Sequence, residues 1–238
     1  MTLYNKLIER KRKWTPVEMQ AGKLKPGSEE ALFRALALRN LELPVGEFIA
    51  SGLKGEVPKE AQEILKLNII DEENHDTALG FAARAHGTDP TSEAEAEKLR
   101  EAWESHQDHT VCKAMVLERS VFFVILPFFR FCGDAGLRSV SQDISRDEQI
   151  HVATNSLVCA ELGLKASPSL DKLRKATIAW VMQPLQAKND DKFLSKNFWL
   201  DSSDRLMYEG RAPELSATRS ARMPAFFEHS NVNLPQYA

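Results

Sequence analysis

At 238 residues, with 43% hydrophobic residues and 11 each of glycine and proline, the chain is long enough to bury one substantial core. Its 31 basic and 34 acidic residues are interspersed and sum to a formal charge of -3. That excludes the basic surface that nucleic acids or anionic membranes select, and no apolar run reaches membrane-spanning length. The basic start MTLYNKLIERKRKW leads into no apolar stretch of the kind an export signal needs, so a cytoplasmic protein is expected. Cys112, Cys132 and Cys159 lack CxxC spacing and read as reduced core thiols.

Helical periodicity dominates from about Glu29 to Leu162, which predicts an all-α fold. A first long helix is expected from Ser28 to a stop at Gly52, kinked at Pro44. A second should start near Pro58 and stop at Gly87. A third, very long, should run from Thr91-Ser92 to Gly133, distorted at Pro127. A fourth covers about Leu137 to Leu162. Shorter helices are expected near Leu170–Gln186 and Asp190–Leu200, followed from about Gly210 by a tail of little periodicity. Residues 1–210 would then form the folded domain and 211–238 the tail.

The second and fourth helices each carry Glu-x-x-His: Glu72 with His75, and Glu148 with His151. Positions i and i+3 project from one helical face, so each pair can aim a carboxylate oxygen and an imidazole nitrogen at one point. On the third helix Glu118 sits inside VLERSVFFVILPFF, where a lone charge is costly unless it is paired or binds a cation. The first helix offers Glu47 or Glu42. Two such helices plus one carboxylate from each of two others is the ferritin-like, two-metal bundle pattern. Oxygen-rich ligands with two imidazoles suit iron and manganese. His86, His106, His109 and His229 fall near helix ends or in polar stretches and read as surface residues.

The stretch Asp143-Ile144-Ser145-Arg146-Asp147-Glu148-Gln149-Ile150-His151 resembles the I-x-R-D-E-x-x-H signature of the small subunits of class I ribonucleotide reductases. KLIERKRKWTP resembles the family segment that carries a tryptophan shortly before a proline, and this places Trp14 at the family's radical-relay tryptophan. The resemblance implies a ferritin-like four-helix bundle with extra helices. Its two-metal centre would be held by Glu72, His75, Glu118, Glu148 and His151, with Asp147 linking a ligand histidine to Trp14. It also implies Glu47 rather than Glu42 as the first carboxylate, from the distances to Gly52 and Trp14.

Four residues after the first ligand histidine the family carries its radical tyrosine, and this chain has Leu79. With Phe122, Leu126 and Ile144, Leu79 would form a dry apolar wall, and Tyr4, Tyr208 and Tyr237 all lie outside the four core helices. The resemblance is therefore to the tyrosine-less subclasses, whose oxidising equivalent stays on the metals. Mn/Fe is the first expectation, with Mn/Mn or Fe/Fe as alternatives, activated by dioxygen or a derived oxidant. Near the end, Pro224-Ala225-Phe226-Phe227-Glu228 followed by Tyr237 is similar to the family's FFE-to-Tyr segment. That makes Tyr237, with Tyr208 second, the implied relay to a separate large subunit, where ribonucleoside diphosphates would be reduced. A homodimer is also implied. Two rival readings are an oxidase or oxygenase acting on its own small substrate, and a non-catalytic metal-storage or sensing bundle.

Overall fold

The computed structural model describes residues 2–55, 57–212 and 215, and the described residues are all-α, with a lone bridge between Gln186 and Ser195. A short helix α1 (Leu3–Ile8) leads through an extended arm to α2 (Glu29–Ala37). A 3-10 turn over Leu38–Leu41 joins α2 to α3 (Glu42–Leu53). The break thus falls just before Pro44. Proline has no N–H to give the carbonyl four residues back, that of Asn40, and its ring crowds it, so the tighter turn precedes the proline.

Helix α4 spans Gln62–His86 and ends at Gly87, whose φ of 84° and ψ of 169° are open to glycine alone. Its stripe Leu65, Asn68, Glu72, His75, Leu79 and Ala82 is buried. On α8 (Ala135–Glu161) the matching stripe Leu137, Ser141, Ile144, Glu148, His151, Asn155 and Val158 is buried as well. Spacing of three and four residues keeps each stripe on one face, and the two faces meet in the bundle.

The expected third helix is two. α5 (Pro90–Ser105) ends at His106, and a second helical segment starts at Thr110, where the His109 ring accepts from the Val111 N–H. The cause is tertiary. Lys113, only 3% exposed, donates from Nζ to the carbonyls of Trp103, Glu104 and His106 at 3.0, 2.9 and 3.2 Å. A lysine from the next helix thereby satisfies the carbonyls that a continuing helix would have used. Its ammonium also lies 4.2 Å from the Phe48 ring centre.

After α6 (Thr110–Leu117), a π-helical stretch occupies Glu118–Phe122 before α7 (Phe123–Cys132). The distortion expected at Pro127 therefore lies one turn upstream of it, and the helix continues through the proline. Helices α3, α4, α8 and the α6–α7 segment close the ring of a four-helix bundle, the ferritin-like arrangement expected. Helices α2, α5 and α9 (Pro168–Val181) pack together beside it, joined by the Trp103 Nε1–H donating to Thr177 Oγ1 at 3.0 Å. α10 (Lys196–Tyr208) lies on α7, α9 and the π stretch, while α1 touches α4 and α8.

The three cysteines are buried and unpaired. His86 departs from the surface position expected for it. Its side chain is 3% exposed, with Nε2 3.1 Å from Asp134 Oδ2. The same carboxylate caps α8 at the Leu137 N–H and accepts from the Gly22 N–H at 2.5 Å, which moors the arm. His106 is half-buried and His109 exposed, while His229 lies outside the described residues. None of the described helices is long and apolar enough to cross a membrane.

Candidate metal centre

The two Glu-x-x-His helices bring Glu72, His75, Glu148 and His151 to one buried point, their ligand atoms all within 4.8 Å of one another. Glu118 joins them from the π stretch, with Oε1 3.8 Å from His151 Nδ1. A π turn at such a position is typical of helices that present a functional side chain.

Helix α3 contributes Glu42 and not Glu47. Glu42 is fully buried with Oε2 3.8 Å from His75 Nδ1, whereas Glu47 is exposed. Five residues along an α-helix is about 140° of rotation beyond a full turn, so the two glutamates cannot share a face. Val45, Gly46 and Ile49 go inward with Glu42.

Both histidines turn Nδ1 toward the carboxylates. His75 Nδ1 is 3.4 Å from Glu72 Oε2 and 3.3 Å from Glu148 Oε1; His151 Nδ1 is 2.9 Å from Glu72 Oε1 and 3.7 Å from Glu148 Oε1. Both turn Nε2 outward onto an aspartate of the opposite helix. His75 on α4 faces Asp147 Oδ2 of α8 at 3.4 Å, and His151 on α8 faces Asp71 Oδ2 of α4 at 3.0 Å. Each aspartate immediately precedes the glutamate of its own pair, so both helices read Asp-Glu-x-x-His and the two halves brace each other crosswise. A carboxylate on the far nitrogen fixes tautomer and ring orientation at a metal-binding histidine.

One stretch of the arm then closes both aspartates from outside. Trp14 Nε1–H donates to Asp147 Oδ2 at 2.6 Å, and its ring stacks at 6.3 Å and 27° on His75. Arg12 Nε lies 3.4 Å from Asp147 Oδ1. Lys11 Nζ donates to Asp71 Oδ2 and lies 3.3 Å from His151 Nε2. Asp71 and Lys11 were not singled out in the sequence, although the repeated Asp before each Glu-x-x-His was there to be read. Asn155, whose Nδ2 donates to Glu118 Oε2 at 2.7 Å, carried no such signal.

The electrostatics are those of a crowded, dry carboxylate site. Burial drives Glu42, Glu118 and Glu148 above the usual carboxylate range, with neighbouring carboxylates adding to it. Glu72 feels the same burial, but the two histidines outweigh it and hold it low. Burial also opposes charging of the histidines, yet the carboxylates around them prevail. His75 is raised well above its ordinary value, and His151 is pushed up to about 10.

The donor atoms fit a cation pair. Both oxygens of Glu42, Glu72 and Glu148, Oε1 of Glu118 and Nδ1 of both histidines are buried and make no hydrogen bond. Buried polar atoms left this way cost free energy unless something else takes them up, and here they converge. Beside the cluster, Leu79, Phe122, Leu126 and Ile144 are all 2% exposed or less, one or two helical turns from His75, Glu118 and Glu148. Tyr208 is exposed and donates to Asp171 Oδ2 at 2.5 Å, on the helix that packs on α7, α9 and the π stretch. Tyr237 lies outside the described residues.

A solved structure of a "putative class I ribonucleotide reductase from Bacillus halodurans" superposes on the chain with a TM-score of 0.58 and 13% identity. The match covers 87% of this chain and 89% of that one, and at this identity it shows a shared fold. No family model matches the chain, and no curated protein matches it.

Proposed function

We propose that this chain is the radical-generating small subunit of a class I ribonucleotide reductase of the tyrosine-less kind. Glu42, Glu72, His75, Glu118, Glu148 and His151 would hold its two metals. A Mn/Fe, Mn/Mn or Fe/Fe pair held there would supply the one-electron oxidant, with dioxygen or a derived oxidant as the source of its oxidising equivalent. The observation that carries the reductase reading over an oxygenase is the line Trp14–Asp147–His75. An enzyme acting on its own buried substrate has no use for a hydrogen-bonded tryptophan leading outward from a ligand histidine.

The chain's residues perform the remaining steps. The apolar wall of Leu79, Phe122, Leu126 and Ile144 places no oxidisable tyrosine beside the centre and keeps water out. When an electron leaves Trp14 toward the bundle interior, its indole N–H becomes strongly acidic, and Asp147 Oδ2 at 2.6 Å is placed to receive the proton. Arg12 and His75 hold that carboxylate in position. Tyr237 is the proposed next carrier toward a large subunit that binds and reduces ribonucleoside diphosphates, and a homodimer is the proposed assembly.

The test is the metal content of protein purified from aerobic cells supplied with both manganese and iron. Two metals per chain, manganese included, supports the proposal. Iron alone rules out the manganese-containing forms and leaves the Fe/Fe form against an oxygenase, which the effect of Trp14→Phe on turnover tells apart. A protein that cannot be loaded at all overturns the metal centre.

Two further outcomes follow from the geometry. Glu42→Ala should lose most of the bound metal, whereas Glu47→Ala should retain two per chain; equal loss in both would place the first carboxylate elsewhere. Lys11→Met and Asp71→Asn should each weaken metal binding by about 10- to 100-fold, since each loosens His151 without removing a ligand. Competitive titration with a chelating dye measures this, and unchanged affinity would make the Lys11–Asp71 pair merely structural.

A further inference from the structure

A cavity of about 490 Å³ lies on the outer side of α7 and α8, closed by the end of α10 and the residues after it. Its α8 wall is Gln149, Val152 and Ser156, the stripe one position round the helix from Glu148, His151 and Asn155. Phe123, Pro127 and Leu206 give it apolar walls. Three arginines line it, Arg119, Arg130 and Arg211, and no acidic residue is among its described lining.

Arg130 is the unusual member. It is 6% exposed, its Nε has no hydrogen-bond partner, and its hydrogen bond from Nη2 goes to the neutral Ser145 hydroxyl at 3.2 Å. Arg119 donates from Nε to the Leu206 carbonyl at 2.9 Å, and Arg211 stands exposed at the rim. None of the three forms an ion pair with a described carboxylate. A buried guanidinium with no described counter-charge is costly, and two more arginines lining the same cavity add to the local positive charge.

We infer that this cavity is a binding site for a phosphate monoester carrying a compact apolar or aromatic group. Guanidinium forks match phosphate oxygens in pairs, and three arginines with no acid among the described lining residues suit a group bearing nearly two negative charges better than a single carboxylate. The apolar walls receive the rest of the molecule, and the volume is that of an ordinary small-ligand site. The site is separate from the metal cluster and stands whether or not that cluster performs the proposed radical chemistry.

Phenyl phosphate is the probe, titrated into the full chain by calorimetry, with phenol, benzoate and inorganic phosphate as comparisons. Phenyl phosphate should bind at least tenfold more tightly than each of the other three. Arg130→Gln and the rim variant Arg211→Gln should each weaken it severalfold or more while leaving metal content and helical signal unchanged. Arg130→Met, which removes the unpaired charge, should raise the melting temperature of the ligand-free protein and abolish its rise with phenyl phosphate. Phenol binding as well as phenyl phosphate would overturn the anion site, and benzoate doing so would overturn the phosphate assignment. Unchanged affinity in both Gln variants would overturn the location.

Discussion

Stripping the metal should lower the melting temperature by about 10 °C, and reloading should restore it. A ligand present at about a thousand times its dissociation constant stabilises by about 4 kcal/mol, and for a domain of this size each kcal/mol is worth about 2–4 °C. The increment should also grow between pH 6 and pH 8. His75 and His151 have raised folded-state values, so as charged groups they stabilise the metal-free fold fully below their ordinary value near 6.5. That contribution fades as pH rises toward the folded value, about 10 for His151. Glu42, Glu118 and Glu148 are raised too, so the bare site favours their protonated forms and loses stability as pH climbs past the usual carboxylate range. Glu72 and Asp71, held low, act oppositely but are already ionised across this window. Metals take the place of those protons, and the higher the pH, the fewer there are to displace. Scanning calorimetry with and without chelator at both pH values gives the answer; a melting temperature indifferent to metal would sink the centre.

If the chain works as proposed, Trp14→Phe should leave two metals bound and the helical signal intact, yet reduce ribonucleoside diphosphate turnover with the proposed large subunit by about 100-fold. Phenylalanine keeps the ring that stacks on His75 but removes the N–H that Asp147 accepts. It is also much harder to oxidise. If Trp14 served only to pack the arm, metal affinity would fall alongside activity, and the ratio of the two losses separates the roles. Turnover within threefold of the parent would remove Trp14 from the relay.

Spacing along a single helix was legible in the residues alone, because i and i+3 share a face wherever the helix sits. That is why Glu72 with His75, and Glu148 with His151, were found as pairs, and why Glu118 stood out as a charge in an apolar run. Helix ends written in local chemistry were equally readable, such as Gly87, whose backbone conformation only glycine adopts. The choice between Glu42 and Glu47 was not readable, since it depends on how the 3-10 turn at Leu38–Leu41 sets the rotation of α3 against its neighbours. The division of the expected third helix depended on Lys113 reaching back to cap α5, a contact that periodicity cannot express.

The crosswise bracing of each histidine by the other helix's aspartate needed α4 and α8 face to face, and the arm's Lys11 and Trp14 needed the finished groove. The same holds for Arg211, which lies 81 positions after Arg130 and is brought to the cavity of Arg119 and Arg130 only by packing. Local periodicity thus determined which side chains belong to one face. Which faces meet, and which buried charges are left without partners, was decided by the free energy of packing the whole bundle.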